Sequence, residues 1–481
     1  MTLKGSSDLK HEANLAENES YTDHIDDIAE SQAQHDAMQE RNLLRKIDWH
    51  VLPWLCVAYA LSLIDRTNIA AAKIVGMVQD LNLHGSMYSV ALLVFFITYI
   101  LTEIPSNAIV KRLGTRIYLA ILLVSWGAVA MCFGFIKNYG QLVALRVLLG
   151  FFEGGFNPAC IFVISCWYKP YEVQRRLSIW FVFGSVISGF GGILSYGLSM
   201  MEGDGGLRGW RWIFIVPGAF TVSLALPVFL WAPEFPESSK WTNRATLQLA
   251  RERLSESRVE GFEERTTVGG LLAAASDWKV YVLAMLLMLP TAGSYSLAFF
   301  TPSILSSFGF SVALSQILTT PPYIFSAIIS VATGILADRV KMRSPFIIGY
   351  SLLVIVGLTM MGWGNNTGAR LVGIFLAVTG NNCAIPSALA FLSNNVVDTR
   401  KRQFAVPIQT VFGGIGGIVG AVVFREQDYP GYRPGLYASF GCMSLNIVLA
   451  GCLALYLARE NMKADEEGKV LEGIPGYRYT L

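Results

Sequence analysis

Five ionisable residues lie inside long apolar runs: Asp65, Arg66, Glu103, Arg146 and Glu153. At mid-bilayer each costs ~2.5–3.5 kcal/mol on insertion scales, so the set costs roughly 15 kcal/mol before pairing. Packing alone requires none of them. Such groups face a bundle interior or a wet cavity and mark a transport path. Arg146 and Glu153 are seven residues apart. At 100° per residue they fall within ~20° of one another on a helix, two turns and ~10 Å apart. That is too far for a direct bridge, yet both look into one cavity. Asp65 and Arg66 end the first apolar run, near where it would meet the segment carrying Arg146. A pairing of Asp65 with Arg146, or of Arg66 with Glu153, would leave neither sign uncompensated. An arginine in a dry cavity can also grip a carboxylate through two parallel hydrogen bonds. Burial disfavours a carboxylate's charge and a nearby arginine favours it, so protonation can follow what occupies the site. The bland alternative is an ion-pair network that only fixes helix packing. Glu103 sits in YILTEIPSN, where Pro105 is expected to break the helix near its inner end. An interfacial carboxylate and a coupling group are both open for it. Lys73 is expected at the outer surface.

These groups need a membrane scaffold, and the composition supplies one. Of 481 residues, 53% are hydrophobic and 15% charged, with a mean hydropathy of +0.46. A soluble domain carries about 25% charged residues to cover its surface. The chain is therefore read as a polytopic membrane protein, and a soluble enzyme is excluded. The seven cysteines lie in apolar runs at no metal-ligand spacing, and the five histidines fall in the tail or at segment ends. No metal site, cofactor or enzymatic centre is expected, and a net charge of +2 gives no reason to expect a nucleic-acid partner.

A spanning helix needs about 20 apolar residues. Apolar segments run at 50–72, 87–110, 115–136, 142–166, 177–200 and 211–232, and again at 280–305, 313–337, 345–363, 370–394, 404–424 and 435–457. The expected organisation is a disordered cytoplasmic tail over 1–46, a six-helix bundle over 47–232, and a cytoplasmic loop over 233–277. A second six-helix bundle over 278–458 and a cytoplasmic tail over 459–481 complete it. No cleaved signal peptide is expected. With the N-terminus inside, 28 of the 37 Lys and Arg fall on the inner side, seven outside and two within the membrane. Orientation follows Lys and Arg, so both termini are expected in the cytoplasm.

The two bundles read as a duplication. KRLGTR, with Lys111, Arg112 and Arg116, follows the second segment; DRVKMR, with Asp338, Arg339 and Arg343, follows the eighth, 227 residues later. Glu172 and Arg176 follow the fourth segment; Asp398 and Arg402 follow the tenth, 226 residues later. Glycines cluster in the fifth segment (Gly184, Gly189, Gly191, Gly192) and the eleventh (Gly413, Gly414, Gly416, Gly417, Gly420). Small residues allow close helix approach, so these two segments are expected to meet across the halves and slide as they rock. The second half has no ionisable counterparts. Its polar candidates are Tyr295, Ser296, Asn381, Asn382 and Gln409, with Phe299, Phe300 and Tyr323 as possible apolar walls. Charge handling is expected in the first half and shape selection in the second.

LSLIDRTNIAAAKI, RVLLGFFEGGFNPACIFVISCWYKPYEVQRR, GWRWIFIVPG, DRVKMRSPFIIG and FGGIGGIVG together resemble the anion:cation symporter branch of the major facilitator superfamily. The fungal allantoate permease group, with its nicotinate, pantothenate and biotin permeases, looks nearest. The resemblance covers about residues 40–460. It implies an all-α fold of twelve transmembrane helices in two pseudo-symmetric six-helix bundles, moving small organic anions with protons. It implies that Asp65 and Arg66 form the helix 1 pair, that Arg146 meets the substrate carboxylate, and that Glu153 is proton-linked. The inner-gate aspartate maps to Asp338, while Lys111 stands in its place in the first half. Gly413-Gly414 replaces a glycine-asparagine pair frequent in the family, and Phe391-Leu392 replaces a tryptophan; both departures lie in the half expected to choose the substrate.

The expected function is plasma-membrane, proton-coupled uptake of a small carboxylated nutrient or metabolite by a monomer, with the proton gradient as energy source. Substrate contacts are expected from Arg146, Arg66, Tyr295, Asn381, Asn382 and Gln409, proton coupling from Asp65, Glu153 and Glu103. Gating is expected from Lys111, Arg112, Arg116, Asp338, Arg339 and Arg343. The rivals are an exporter of an organic acid or secondary metabolite, and a nutrient receptor that binds without transporting.

Overall fold

The computed structural model describes residues 5–168, 170–232, 234, 247–249, 275–396, 399–429, 431–472 and 476–481; for 5–37 it describes the backbone alone. The first half contains α1 (Gly5–Ala72), α2 (Met87–Leu113), α3 (Thr115–Cys132), α4 (Tyr139–Trp167), α5 (Pro170–Gly189, continued by Gly191–Ser199) and α6 (Gly209–Trp231). The second contains α7 (Trp278–Ser307), α8 (Val312–Val340), α9 (Ser344–Trp363), α10 (Thr367–Asn395), α11 (Thr399–Val423) and α12 (Arg433–Glu466). Eleven carry a stretch long and apolar enough to cross a bilayer, and Met87–Glu103 is the apolar part of α2. In lipid every backbone polar group must find an internal partner, which a helix provides within itself. Local chemistry sets the starts: Asn138, Asp277 and Asn366 accept from the amides of Gln141, Lys279 and Ala369.

The duplication is visible in the packing. α1 packs on α5 as α7 does on α11, α2 on α4 as α8 on α10, and α3 on α6 as α9 on α12. Twelve spans put both termini on one face, here called the termini side, and the opposite face is the far side.

Four expectations are corrected. Residues 1–46 were expected to be disordered, yet helix runs from Gly5 into the membrane as part of α1. No Gly or Pro occurs between positions 6 and 52, and Ala, Glu, Gln and Leu are strong helix formers. Pro105 does not break α2, which continues to Leu113 and stops at Gly114, where φ is +83°. Lys73 is buried rather than at the outer surface. Finally, the glycine-rich helices do not meet each other. Gly189 and Gly192 of α5 face Tyr323, Thr319 and Gln316 of α8, while Gly414 and Gly417 of α11 face Ile100 and Phe96 of α2. A two-fold relation between the halves explains this: equivalent helices make reciprocal contacts, 5 on 8 and 11 on 2.

A Cβ at Gly192 would overlap the Gln316 carbonyl and the Thr319 hydroxyl of the opposite half. Overpacking costs ~1–3 kcal/mol, which is about 5- to 150-fold in the balance between open and closed. Gly192→Val should therefore insert normally but hold the far side open. The expected result is about a tenfold or greater fall in transport at unchanged surface abundance.

The segment after α12 is not a free tail. Leu471 and Tyr479 are buried with Leu453, Leu457 and Ala464 of α12. Asn461 Nδ2 donates to the Tyr479 carbonyl and Asn461 Oδ1 accepts from its amide; Asn395 holds Thr480 in the same two-way manner. Glu472 accepts from Lys279 Nζ at 2.7 Å, Tyr479 Oη at 2.6 Å and Lys401 Nζ at 3.1 Å. Burial alone would raise the Glu472 carboxyl, but the hydrogen bonds from Lys279 and Tyr479 outweigh it and hold it at about 2, below the ordinary 4.5. A carboxyl depressed by folding stabilises above its unfolded value and loses that contribution as pH falls from 4.5 through about 2. The tail should thus stay docked at neutral and mildly acid pH. Glu472→Gln should release it there, read as about tenfold faster hydrogen exchange at the amides of Tyr479 and Thr480.

Candidate functional site

Two of the buried charges, Arg66 and Glu153, meet where α1, α2 and α4 face α7. Arg66 of α1 donates Nε to Glu153 Oε1 of α4 at 2.9 Å and Nη2 to the same oxygen at 2.5 Å. Its third nitrogen, Nη1, crosses to the other half and donates to Tyr295 Oη of α7 at 2.6 Å. Ser62, one turn before Arg66, hydrogen-bonds the same Glu153 oxygen. The Arg66 guanidinium also lies over the rings of Tyr99, at 4.9 Å, and Phe95, at 5.4 Å. Arg66 is 3% exposed and Glu153 0%. Of the two pairings expected from sequence, this is the one formed, and Glu153 Oε2 has no hydrogen bond among the described residues.

Arg146 is different. It is 1% exposed, and none of Nε, Nη1 and Nη2 has a hydrogen-bond partner among the described residues. Its flanks are the rings of Phe133, at 5.4 Å, and Phe95, at 6.0 Å. A desolvated guanidinium with five donors and no acceptor is costly, and a carboxylate is the group whose geometry matches its fork.

Asp65 points away from this pair, as the ~100° step to its neighbour dictates. Its Oδ2 accepts from Trp126 Nε1 of α3 at 3.2 Å and Thr221 Oγ1 of α6 at 3.3 Å. It therefore sits inside the first bundle rather than at the junction of the halves. Glu103 is buried, and its Oε2 has no hydrogen-bond partner among the described residues. One turn before it, Tyr99 Oη accepts from Asn157 Nδ2 of α4 at 2.7 Å. Ser62, Tyr99, Trp126, Asn157 and Thr221 were not among the expected site residues. Ser62 and Tyr99 were findable, one helical turn from Arg66 and Glu103. Trp126, Asn157 and Thr221 are brought in by tertiary packing.

In the second half the expected contacts divide. Tyr295 stacks on Phe299 at 5.8 Å and meets the edge of Phe96 at 4.8 Å, which aims its hydroxyl at Arg66. Asn382 is half-buried, accepts from Ser294 Oγ at 2.7 Å and reaches Ser326 of α8 at 3.4 Å. Asn381 turns inward: Nδ2 donates to the Ala377 carbonyl and the amide packs on Gly293, in a cleft shared with Ser439 and Met443 of α12. Gln409 donates to the carbonyls of Leu283 and Ala388 and so ties α11 to α7 and α10. In this conformation Asn381 and Gln409 thus donate to backbone carbonyls of their own bundle.

The halves touch on the far side. Tyr88 Oη donates to the Phe299 carbonyl at 3.4 Å, and Gln316 Nε2 donates to the Ala71 carbonyl at 3.5 Å. Below the charged cluster, Phe181 of α5 packs against Leu287, Ile385 and Ala388 of α7 and α10. The expected gating residues bind within their own halves in this conformation. Arg116 donates to the Ala232 carbonyl at 2.7 Å, and Arg343 pairs with Asp338 while its amide meets the Leu481 carbonyl. Arg112 and Arg339 are exposed, and the side chain of Lys111 lies outside the described residues.

The sequence profile described as Major Facilitator Superfamily matches residues 55–421. The chain belongs to the major facilitator superfamily. Its relatives are fungal transporters of the permease type. It is 30% identical over 442 residues to the major facilitator-type transporter hxnP of Emericella nidulans, covering 90% of this chain and 88% of that one. It is 28% identical over 470 residues to the MFS-type transporter cnsO of Penicillium expansum, covering 92% and 90%. It is 29% identical over 424 residues to the high-affinity nicotinic acid transporter of Saccharomyces cerevisiae, covering 88% and 79%. The fold matches the inward-facing, occupied crystal structure of a bacterial homolog of the human lysosomal transporter Spinster, with a TM-score of 0.62 at 17% identity, over 86% of this chain and 97% of that one. This superfamily member is a multi-pass membrane transporter.

Proposed function

We propose that this transporter carries a small organic anion into the cell together with protons, by alternating access, across the plasma membrane with both termini in the cytoplasm. It acts as a monomer and needs no cofactor, the proton gradient supplying the energy. The observation that carries the reading is Arg146: a buried guanidinium whose three nitrogens have no hydrogen-bond partner among the described residues, on the same helix as Glu153, a carboxylate that already has a counter-cation. A substrate carboxylate satisfies Arg146 through paired, charge-assisted hydrogen bonds. It also competes with Glu153 for Arg66. A carboxylate that loses its counter-cation in a dry site becomes neutral by taking a proton. Substrate and proton are thereby bound in one event. Rocking of the halves then releases the Arg66–Tyr295 link and opens the termini side. The name of the yeast relative, a nicotinic acid transporter, favours a monocarboxylate.

The test is uptake of labelled nicotinate, pantothenate, biotin, allantoate and short dicarboxylates by cells expressing the protein, in acid and in neutral medium. Accumulation of one of them, greater in acid, is expected. If none accumulates and preloaded cells lose one faster, the carrier is an exporter and the uptake reading fails.

A further inference from the structure

The charged ladder of α1 has a member that the site above does not use. Lys73 follows Arg66 by seven residues, so the two share a helix face, two turns or ~10 Å apart, with Lys73 nearer the far side. It stands at the first residue of a π-helical turn, Lys73–Met77, in which Gly76 adopts φ +123°. Lys73 is 7% exposed. Its Nζ lies 4.4 Å from the centroid of the Tyr88 ring and 5.2 Å from that of Phe300. Tyr88 belongs to α2 and to the same half as Lys73, whereas Phe300 belongs to α7 and to the other half. Tyr88 and Phe300 meet edge to face at 5.8 Å, so the cation is capped by an aromatic pair that spans the boundary between the halves.

Opening the far side separates α7 from α1 and α2. Phe300 leaves with its half, and the ammonium keeps one ring and turns a face to the widening path. A cation there meets an anion arriving from the far side, with Arg146 at about the same depth on α4, two turns nearer that side than Glu153, and Arg66, which bonds Glu153, deeper along the α1 face. Its second state is equally defined. Once the anion has passed to the arginines, the two rings re-cover the ammonium, since an aromatic face stabilises a desolvated cation. The same residue attracts in the open state and seals in the closed one.

We propose that Lys73 is a far-side capture residue, which draws the anionic substrate in and passes it to Arg66 and Arg146. The proposal rests on the anion-transport reading above. Its test is built so that the two fail separately. Ala70 lies on the same face between Arg66 and Lys73, and Ala70→Cys reports the potential there through its reaction with small thiol reagents applied from the far side. The reagents are the anionic ethylsulfonate and the cationic ethyltrimethylammonium methanethiosulfonates. The anionic reagent is expected to be favoured. Lys73→Gln should lower the ratio of anionic to cationic rates about tenfold, and Lys73→Arg should keep it. If Lys73 only seals, its removal changes both rates together and leaves the ratio fixed, which overturns the proposal; so does a cysteine at position 70 that neither reagent reaches. For whichever labelled carboxylate accumulates, Lys73→Gln should raise KM about tenfold with Vmax kept, and Lys73→Arg should restore KM. An unchanged KM in Lys73→Gln with uptake still dependent on Arg146 sinks the capture role alone. Uptake that survives Arg146→Ala sinks the anion-site reading instead.

Discussion

Arg146→Ala is expected to lower carboxylate transport by about 100-fold or more without harming the fold. Hydrogen bonds to charged groups contribute ~1.5–3 kcal/mol each, so losing a bidentate pair removes roughly 3–6 kcal/mol of substrate binding. Arg146→Lys keeps the charge and loses the planar fork, so it should recover only part of the activity. Stability gives a second, independent sign. A buried guanidinium without partners is a cost to the empty protein, so removing it should leave thermal stability unchanged or raised. An arginine kept for packing would do the reverse, because breaking a satisfied buried network costs ~3–5 kcal/mol. Thermal unfolding of the purified variants, beside uptake, separates the two roles.

Glu153→Gln is expected to retain exchange and lose uphill accumulation. The amide oxygen can still accept from Arg66, which donates to Ser62, Tyr295 and Glu153, so the site keeps its shape. What it cannot do is gain and lose a proton. Vesicles preloaded with unlabelled substrate should exchange it for label at close to the wild-type rate. Accumulation driven by an imposed proton gradient should fall to the equilibrium level. Accumulation that persists would remove Glu153 from the coupling step and turn attention to Asp65 and Glu103, the buried carboxylates that each have an oxygen without a hydrogen bond among the described residues.

Twelve spans and their duplication were legible in the sequence because membrane solvation dictates them: apolar length and basic loops at fixed offsets need no tertiary information. The charged cluster was legible for the same reason, since five ionisable groups in lipid stand out against their surroundings. What could not be read was direction around the helix axis. Asp65 and Arg66 are adjacent in sequence, yet one faces Trp126 and Thr221 inside a bundle and the other reaches Tyr295 across the halves. Neutral polar residues carry still less signal. Gln409 and Asn382 look alike in sequence, but one is consumed by backbone carbonyls and the other bridges side chains of α7 and α8. The glycine stripes foretold close packing and not its partners, because a stripe of small residues fits any helix that approaches it. Lys73 was misplaced at the surface because its aromatic cover is completed by Phe300 of α7, far away in the chain.

The central claim is that Arg146 receives the carboxylate, and a matched acid–amide pair tests it most directly. Nicotinate and nicotinamide have nearly the same shape and differ in charge. Binding of each to the purified protein should be measured for wild type and for Arg146→Ala. The account predicts that wild type binds the acid and that the amide competes poorly. It further predicts that the substitution abolishes the difference between them. Should nicotinate not bind, pantothenate and biotin with their amides take its place in the same comparison. Equal affinity for acid and amide in the wild type, or a preference for the acid that survives in Arg146→Ala, would contradict the account.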